Sequence, residues 1–81
     1  MITEKDLLDL DFTRVVDDAY GTPYHYYIYE VGDLCLITQD NDAVKNDEWY
    51  VELFESNSIR FTSRTELEIL MTLLINNYKE E

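Results

Sequence analysis

The polar and apolar positions change period several times along the chain, and each change marks an element. Thr3 followed by Asp6 reads as an N-cap with a capping box, and Ile2 and Leu7 flank it as a hydrophobic staple. A short first helix is predicted there, with Leu7, Leu8 and Leu10 on its buried side and Glu4, Asp6 and Asp9 toward water. Residues 12–17 alternate as a first strand. Residues 19–23 read as a loop punctuated by Gly21 and Pro23. Tyr24–Val31 is rich in aromatic and branched residues and predicts a strand. Gly32-Asp33 then separates it from a second strand-like run starting at Leu34, the signature of a two-residue type II′ hairpin. That turn sets a register: Val31 opposite Leu34, Glu30 opposite Cys35, Tyr29 opposite Leu36, Ile28 opposite Ile37 and Tyr27 opposite Thr38. Both faces of this hairpin are apolar near the middle, which places it centrally in a sheet.

Residues 40–48 form a polar, acidic connection. Residues 49–55 predict another strand, with Trp49, Val51 and Leu53 on one face and Tyr50, Glu52 and Phe54 on the other. Ser56-Asn57-Ser58 reads as a turn, and Ile59-Arg60-Phe61 as a short strand with Ile59 and Phe61 inward. Ser63 and Glu66 form a capping box ahead of a helix that runs to about Tyr78. Leu67, Leu70, Met71, Leu74, Ile75 and Tyr78 make its core stripe at helical spacing. Ile69 and Leu73 fall off that stripe. The fold expected is α+β: an antiparallel sheet of four or five strands, the carboxy-terminal helix on one face and the short first helix closing an edge, as one domain over residues 1–81.

Composition narrows the function classes. Eighteen acidic and six basic residues in 81 give a net charge of −12. So acidic a surface disfavours nucleic acid or an anionic membrane as direct partner. Hydrophobic residues at 46% and aromatics at 14% exclude a disordered acidic tail. The one cysteine, Cys35, makes no internal disulfide, the amino terminus lacks a signal-peptide pattern, and no apolar run reaches the ~20 residues of a membrane span. A cytoplasmic location is expected.

No motif names a reaction. Asp40-Asn41-Asp42 opens like a calcium loop, but Val44, Lys45 and Val51 stand where its fifth, sixth and twelfth positions need an oxygen ligand, glycine and glutamate. His25 and Cys35 are too few for zinc. The register puts them on opposite sheet faces, which rules out a nucleophile–base pair; Cys35 reads as a small core residue and His25 as a rim residue. No catalytic, metal or cofactor site is expected, and the chain reads as a non-enzyme. The carboxylates have two readings. They keep a small domain in solution, or Asp17, Asp18, Asp40, Asp42, Asp47, Glu48, Glu52 and Glu55 present charge to a basic protein surface as a mimic of DNA. Tyr24 and Tyr26 are candidate contacts to a partner, because tyrosine joins a large apolar body to a polar tip. Ile69 and Leu73 are candidate contacts to a partner or to a second copy. A third reading, a nucleotide sponge, requires Arg14, Arg60 and Arg64 to converge.

The run Met1-Ile2-Thr3-Glu4-Lys5-Asp6-Leu7-Leu8, the aromatic stretch from Tyr24 to Tyr29, Leu36-Ile37-Thr38, Trp49-Tyr50-Val51 and Ile59-Arg60-Phe61-Thr62 ahead of a leucine-rich helix resemble small acidic proteins of phages and prophages, especially of Bacteroidota. The resemblance spans most of the chain in loose patterns and carries no functional residues with it. It implies binding to a host protein, with inhibitors of bacterial defence systems prominent among such proteins.

Overall fold

The computed structural model describes residues 1–18 and 21–78; the predicted loop at 19–23 lies partly outside them. The order is α1 (Glu4–Asp9), β1 (Thr13–Asp17), β2 (Tyr24–Val31), β3 (Leu34–Thr38), β4 (Val51–Leu53), β5 (Ser56–Phe61) and α2 (Arg64–Asn77). The strands form one antiparallel sheet in the order β1-β2-β3-β4-β5, so each pairs with its neighbour in sequence. The hairpin between β2 and β3 has the predicted register from Val31↔Leu34 to Ile28↔Ile37. Gly32 has φ +59 and Asp33 is not among the positive-φ residues, the φ pattern of a II′ turn. Beyond Ile28, the backbone N–H of Tyr27 donates to the Thr38 hydroxyl at 3.0 Å.

Strand partners point to the same side of a sheet, so the pairing sorts the side chains. Tyr27, Leu36 and Val51 face the helices and join Ile2, Leu7, Phe12, Trp49, Leu67 and Met71 in the core. The amino terminus is part of this layer: Ile2 bridges Trp49, and Ile2 and Leu7 are fully buried as the staple requires. The first helix therefore packs into the core rather than closing an edge. Its capping box is complete, with Asp6 N–H donating to Thr3 Oγ1 and Thr3 N–H to Asp6 Oδ2.

The other end of α1 is a Schellman motif. Phe12 N–H donates to Leu7 O at 3.0 Å and Asp11 N–H to Leu8 O at 3.1 Å. Asp11 holds the left-handed position at φ +68, where glycine is the usual residue. Asp11→Gly is expected to stabilise the domain by about 0.5–1 kcal/mol, read as a higher urea midpoint at unchanged slope. A lower midpoint would show that the Asp11 side chain contributes more than its backbone conformation costs.

Several expectations are corrected. Leu8 is exposed, because the short helix turns only Leu7 and Leu10 toward the sheet. Glu4 and Asp6 are half-buried rather than water-facing, held by bonds to the sheet and to α2. The strand expected at 49–55 is regular only over Val51–Leu53, and the turn falls at Phe54-Glu55 instead of Ser56-Asn57-Ser58. Glu55 takes φ +68 there, and a register shift between Glu52 and Leu53 follows from the displaced turn. Ile59 is consequently exposed on the edge strand, while Phe61 packs against the core. In α2, Leu67 and Met71 are buried, but Ile75 and Tyr78 are more than half exposed: Ile75 lines an open groove with Leu10 and Tyr29, and Tyr78 covers only the turn at Gly32. Ser63 accepts from Glu66 N–H, one half of the box predicted there.

Candidate protein-binding surface

The side of the sheet away from the helices has no element packed on it among the described residues. Its outward positions follow from the register: Val15 beside Tyr26, Asp17 beside Tyr24, Ile28 beside Ile37, Cys35 beside Glu30, and Glu52 beside Arg60. Tyr50 joins them, with the Arg60 guanidinium 4.5 Å over its ring. An antiparallel sheet with one solvated face normally alternates polar residues outward. Here the outward set is mainly aliphatic and aromatic, and Val15, Tyr24, Tyr26, Ile28, Ile37 and Tyr50 are each half-buried by their neighbours.

Carboxylates border this face at two places. At one end, Asp17 lies across from Tyr24 and Asp18 follows it. Asn41 clamps the adjacent loop: its N–H donates to His25 O and its Oδ1 accepts from His25 N–H, both at 2.8 Å. Asp40 and Asp42 flank that clamp and so join the same end. The Tyr24 hydroxyl is pushed above its ordinary pKa by burial first, then by its bond to Asp17 and the charge of Asp40. At the second place, Glu52 and Glu55 line a shallow groove of about 280 Å3 with Ile37, Leu53 and Ser56. Glu52 Oε2 is buried and makes no hydrogen bond; it faces Arg60 Nε at 3.6 Å.

The other predicted residues lie elsewhere. Asp47, at φ +55, is a bracket: its Oδ1 accepts from Trp49 Nε1 at 2.8 Å and from Glu4 N–H at 3.0 Å, tying the loop to α1. Glu48 is exposed beside Met1, Trp49 and Thr62. Ile69 and Leu73 are exposed on α2, in the opposite layer. The three arginines do not converge. Arg14 lies across from Tyr27 on the helix side and Arg60 on the open side. Arg64 is held by Asp6 at 2.6 Å, Glu68 at 2.7 Å and Asp9 at 3.6 Å.

One polar cluster has no precursor in the sequence pattern. Glu4 Oε2 accepts from the Tyr27 hydroxyl at 2.6 Å and lies 2.7 Å from His25 Nε2. Both rings pack near Trp49, Tyr27 edge-on at 5.4 Å. The bond from Tyr27 holds the Glu4 carboxyl below its usual pKa, with His25 adding to it against the opposing effect of burial. Burial and the Glu4 bond push the Tyr27 hydroxyl up to about 12. His25 is therefore not a rim residue but a link between α1 and the sheet. Cys35, on the open face, has its thiol pushed up by burial and then by Glu30, which keeps it in the weakly nucleophilic protonated form. Among the described residues no group of His, Cys, Asp and Glu side chains could hold a metal ion.

Fold and surface together define a two-layer α+β domain: a five-stranded antiparallel meander, helices on one side and an acid-bordered aromatic face on the other. Comparison with protein-family models, with curated proteins and with solved structures finds no match. No helix among the described residues is long and apolar enough to cross a membrane.

Proposed function

We propose that this chain is a non-enzymatic protein-binding domain whose open sheet face docks on a protein with a basic surface. The observation that carries the reading is the outward row of Val15, Tyr24, Tyr26, Ile28, Ile37 and Tyr50 on a face that no described element covers. Aromatic anchors in an apolar centre with a polar rim are the usual anatomy of a protein interface. The rim here is acidic, with Asp17, Asp18, Asp40 and Asp42 at one end and Glu52 and Glu55 at the groove. Such a rim speeds encounter with a positive partner and rejects a negative one. This placement favours contact through the apolar face, steered by carboxylates, over a continuous imitation of DNA. The resemblance to small phage proteins supplies the setting: a virus-encoded inhibitor of a host defence or nucleic-acid-processing protein, acting in the host cytoplasm.

Immobilised chain should recover a stoichiometric partner from a bacterial host lysate at low salt and release it as salt rises. Ile37→Thr with Tyr26→Ala, both at half-buried positions on the open face, should weaken that capture at least ~10-fold with the fold intact by circular dichroism. A lysate yielding no stoichiometric partner, or equal capture by the variant, would overturn the reading.

A further inference from the structure

We propose that the outward face of α2 is a self-association surface on which a second copy of this chain packs with its own α2 antiparallel. Ile69 and Leu73 are 57% and 55% exposed. With Thr65, Glu68 and Thr72 they line a groove of about 290 Å3. A solvent-facing helix surface normally carries charge. This one carries none from Ile69 to Tyr78, in a chain of which 30% is charged.

That neutrality selects the occupant. A partner chosen for positive charge is matched by the acid-bordered sheet face, which lies in the other layer. A second copy also carries −12 and is repelled there. The carboxy-terminal half of α2 is where two such copies can meet without opposing carboxylates, and the face that matches a neutral apolar stripe is the same stripe on the twin. Such a contact is isologous: the same patch is used on both copies, and where residue i meets residue j, j meets i, about a twofold axis. Direction follows from charge as well. An antiparallel pair centred midway between Ile69 and Leu73, one position from Thr72, sets Ile69 against Leu73 of the other copy and keeps the two sets of Glu66 and Glu68 at opposite ends. A parallel pair would stack them.

Size sets the strength. Fourteen residues make a helix of about 21 Å. One helix per copy buries less than the ~800 Å2 per partner of a standard interface. The association is accordingly weak, and salt, by screening the net charge, should tighten it. The dimer leaves both sheet faces outward, so two partner molecules or two sites on one can be engaged at once.

Sedimentation equilibrium of the full chain from ~10 µM to ~1 mM, at low and at ~0.5 M salt, tests this. The mass should rise from one copy toward two, more so at high salt. Leu73→Glu, at an exposed position, should raise the dissociation constant at least ~10-fold without changing the melting curve. In a Cys35→Ser background, Thr72→Cys should cross-link under oxidation and Thr65→Cys should not. A one-copy mass at ~1 mM in high salt, or association unchanged by Leu73→Glu, overturns the surface. Cross-linking at 65, with or without cross-linking at 72, overturns the antiparallel arrangement, because only a parallel pair brings Thr65 beside its counterpart.

Discussion

Tyr27→Ala is expected to cost about 3–5 kcal/mol and to lower the melting temperature by roughly 15–30 °C. Tyr27 is 1% exposed and, among the described residues, the largest fully buried side chain. It packs edge-on against Trp49 and donates to Glu4. Truncation opens a cavity between the sheet and both helices and leaves the Glu4 carboxylate with His25 alone. A domain of this length holds only about 4–12 kcal/mol in total, so the variant should stand near the edge of unfolding. Trp49, the single tryptophan, reports the transition by its fluorescence. Tyr27→Phe separates ring from hydroxyl: it keeps the packing and should cost about 1–2 kcal/mol. It also carries a pH signature. The hydroxyl's pKa is higher folded, at about 12, than unfolded, near 10. Its contribution is thus fully present below pH ~10 and lost as pH rises through ~12, an excess loss of roughly 3 kcal/mol. The wild-type curve should fall toward that of Tyr27→Phe across this window. Parallel curves would mean that the hydroxyl has no special environment.

Gly32→Val is expected to cost about 2–3 kcal/mol and to disturb the sheet beyond the turn. A β-branched residue is poorly accommodated at φ +59. In addition, a Cβ at this position would lie 2.7 Å from Cε1 of Tyr78, whose ring closes over the turn from the end of α2. Tyr78 can swing away because it is half exposed, so the backbone conformation carries most of the cost. Gly32→Val with Tyr78→Ala should recover only the steric part. The loss should appear in urea unfolding and in amide-exchange protection of β2 and β3. Full recovery in the double variant would assign the whole effect to the ring.

What made the hairpin legible is that one short signal fixes many partners. Gly32-Asp33 sets the turn, the turn sets the register, and the register places Tyr24 to Val31 and Leu34 to Thr38 on definite faces. It could not say which face would be covered, because both alternate sets are apolar; the helices chose the side of Tyr27 and Leu36. The turn at Phe54-Glu55 was hidden because Glu55 adopts a left-handed conformation without a glycine or asparagine to announce it. Ser-Asn-Ser, with better turn chemistry, was drawn into β5. The helix stripe in α2 overreached for a related reason: period shows which side is apolar, but not how closely the layer beneath it packs, and Ile75 faces Leu10 and Tyr29 across an open groove.

The site was legible in part. Tyr24, Tyr26, Asp17 and Glu52 alternate within strands and could be placed by register. The joining of Asp17 and Asp18 to Asp40 and Asp42 depends on the Asn41–His25 clamp, a contact across sixteen residues that no local pattern encodes. The same holds for Glu4 with His25 and Tyr27, more than twenty residues away. Asp47 reads as one more acid in a charged loop, and its two internal bonds appear only once Trp49 is folded against α1.

The strand order of the sheet bears on how the chain is made. Every strand pairs with its predecessor, so the meander can be laid down in sequence as the polypeptide emerges, with local pairings and little search. The lid on its inner side comes last. Leu67 and Met71, which seal Tyr27, Leu36 and Val51 from water, lie in the final quarter of the chain. Until they leave the ribosome, the inner side of the nascent sheet is covered only in part, by the amino-terminal layer of Ile2, Leu7 and Trp49. The committed, cooperative step of folding therefore waits for α2, and a chain that stalls before it is sticky on two faces rather than one.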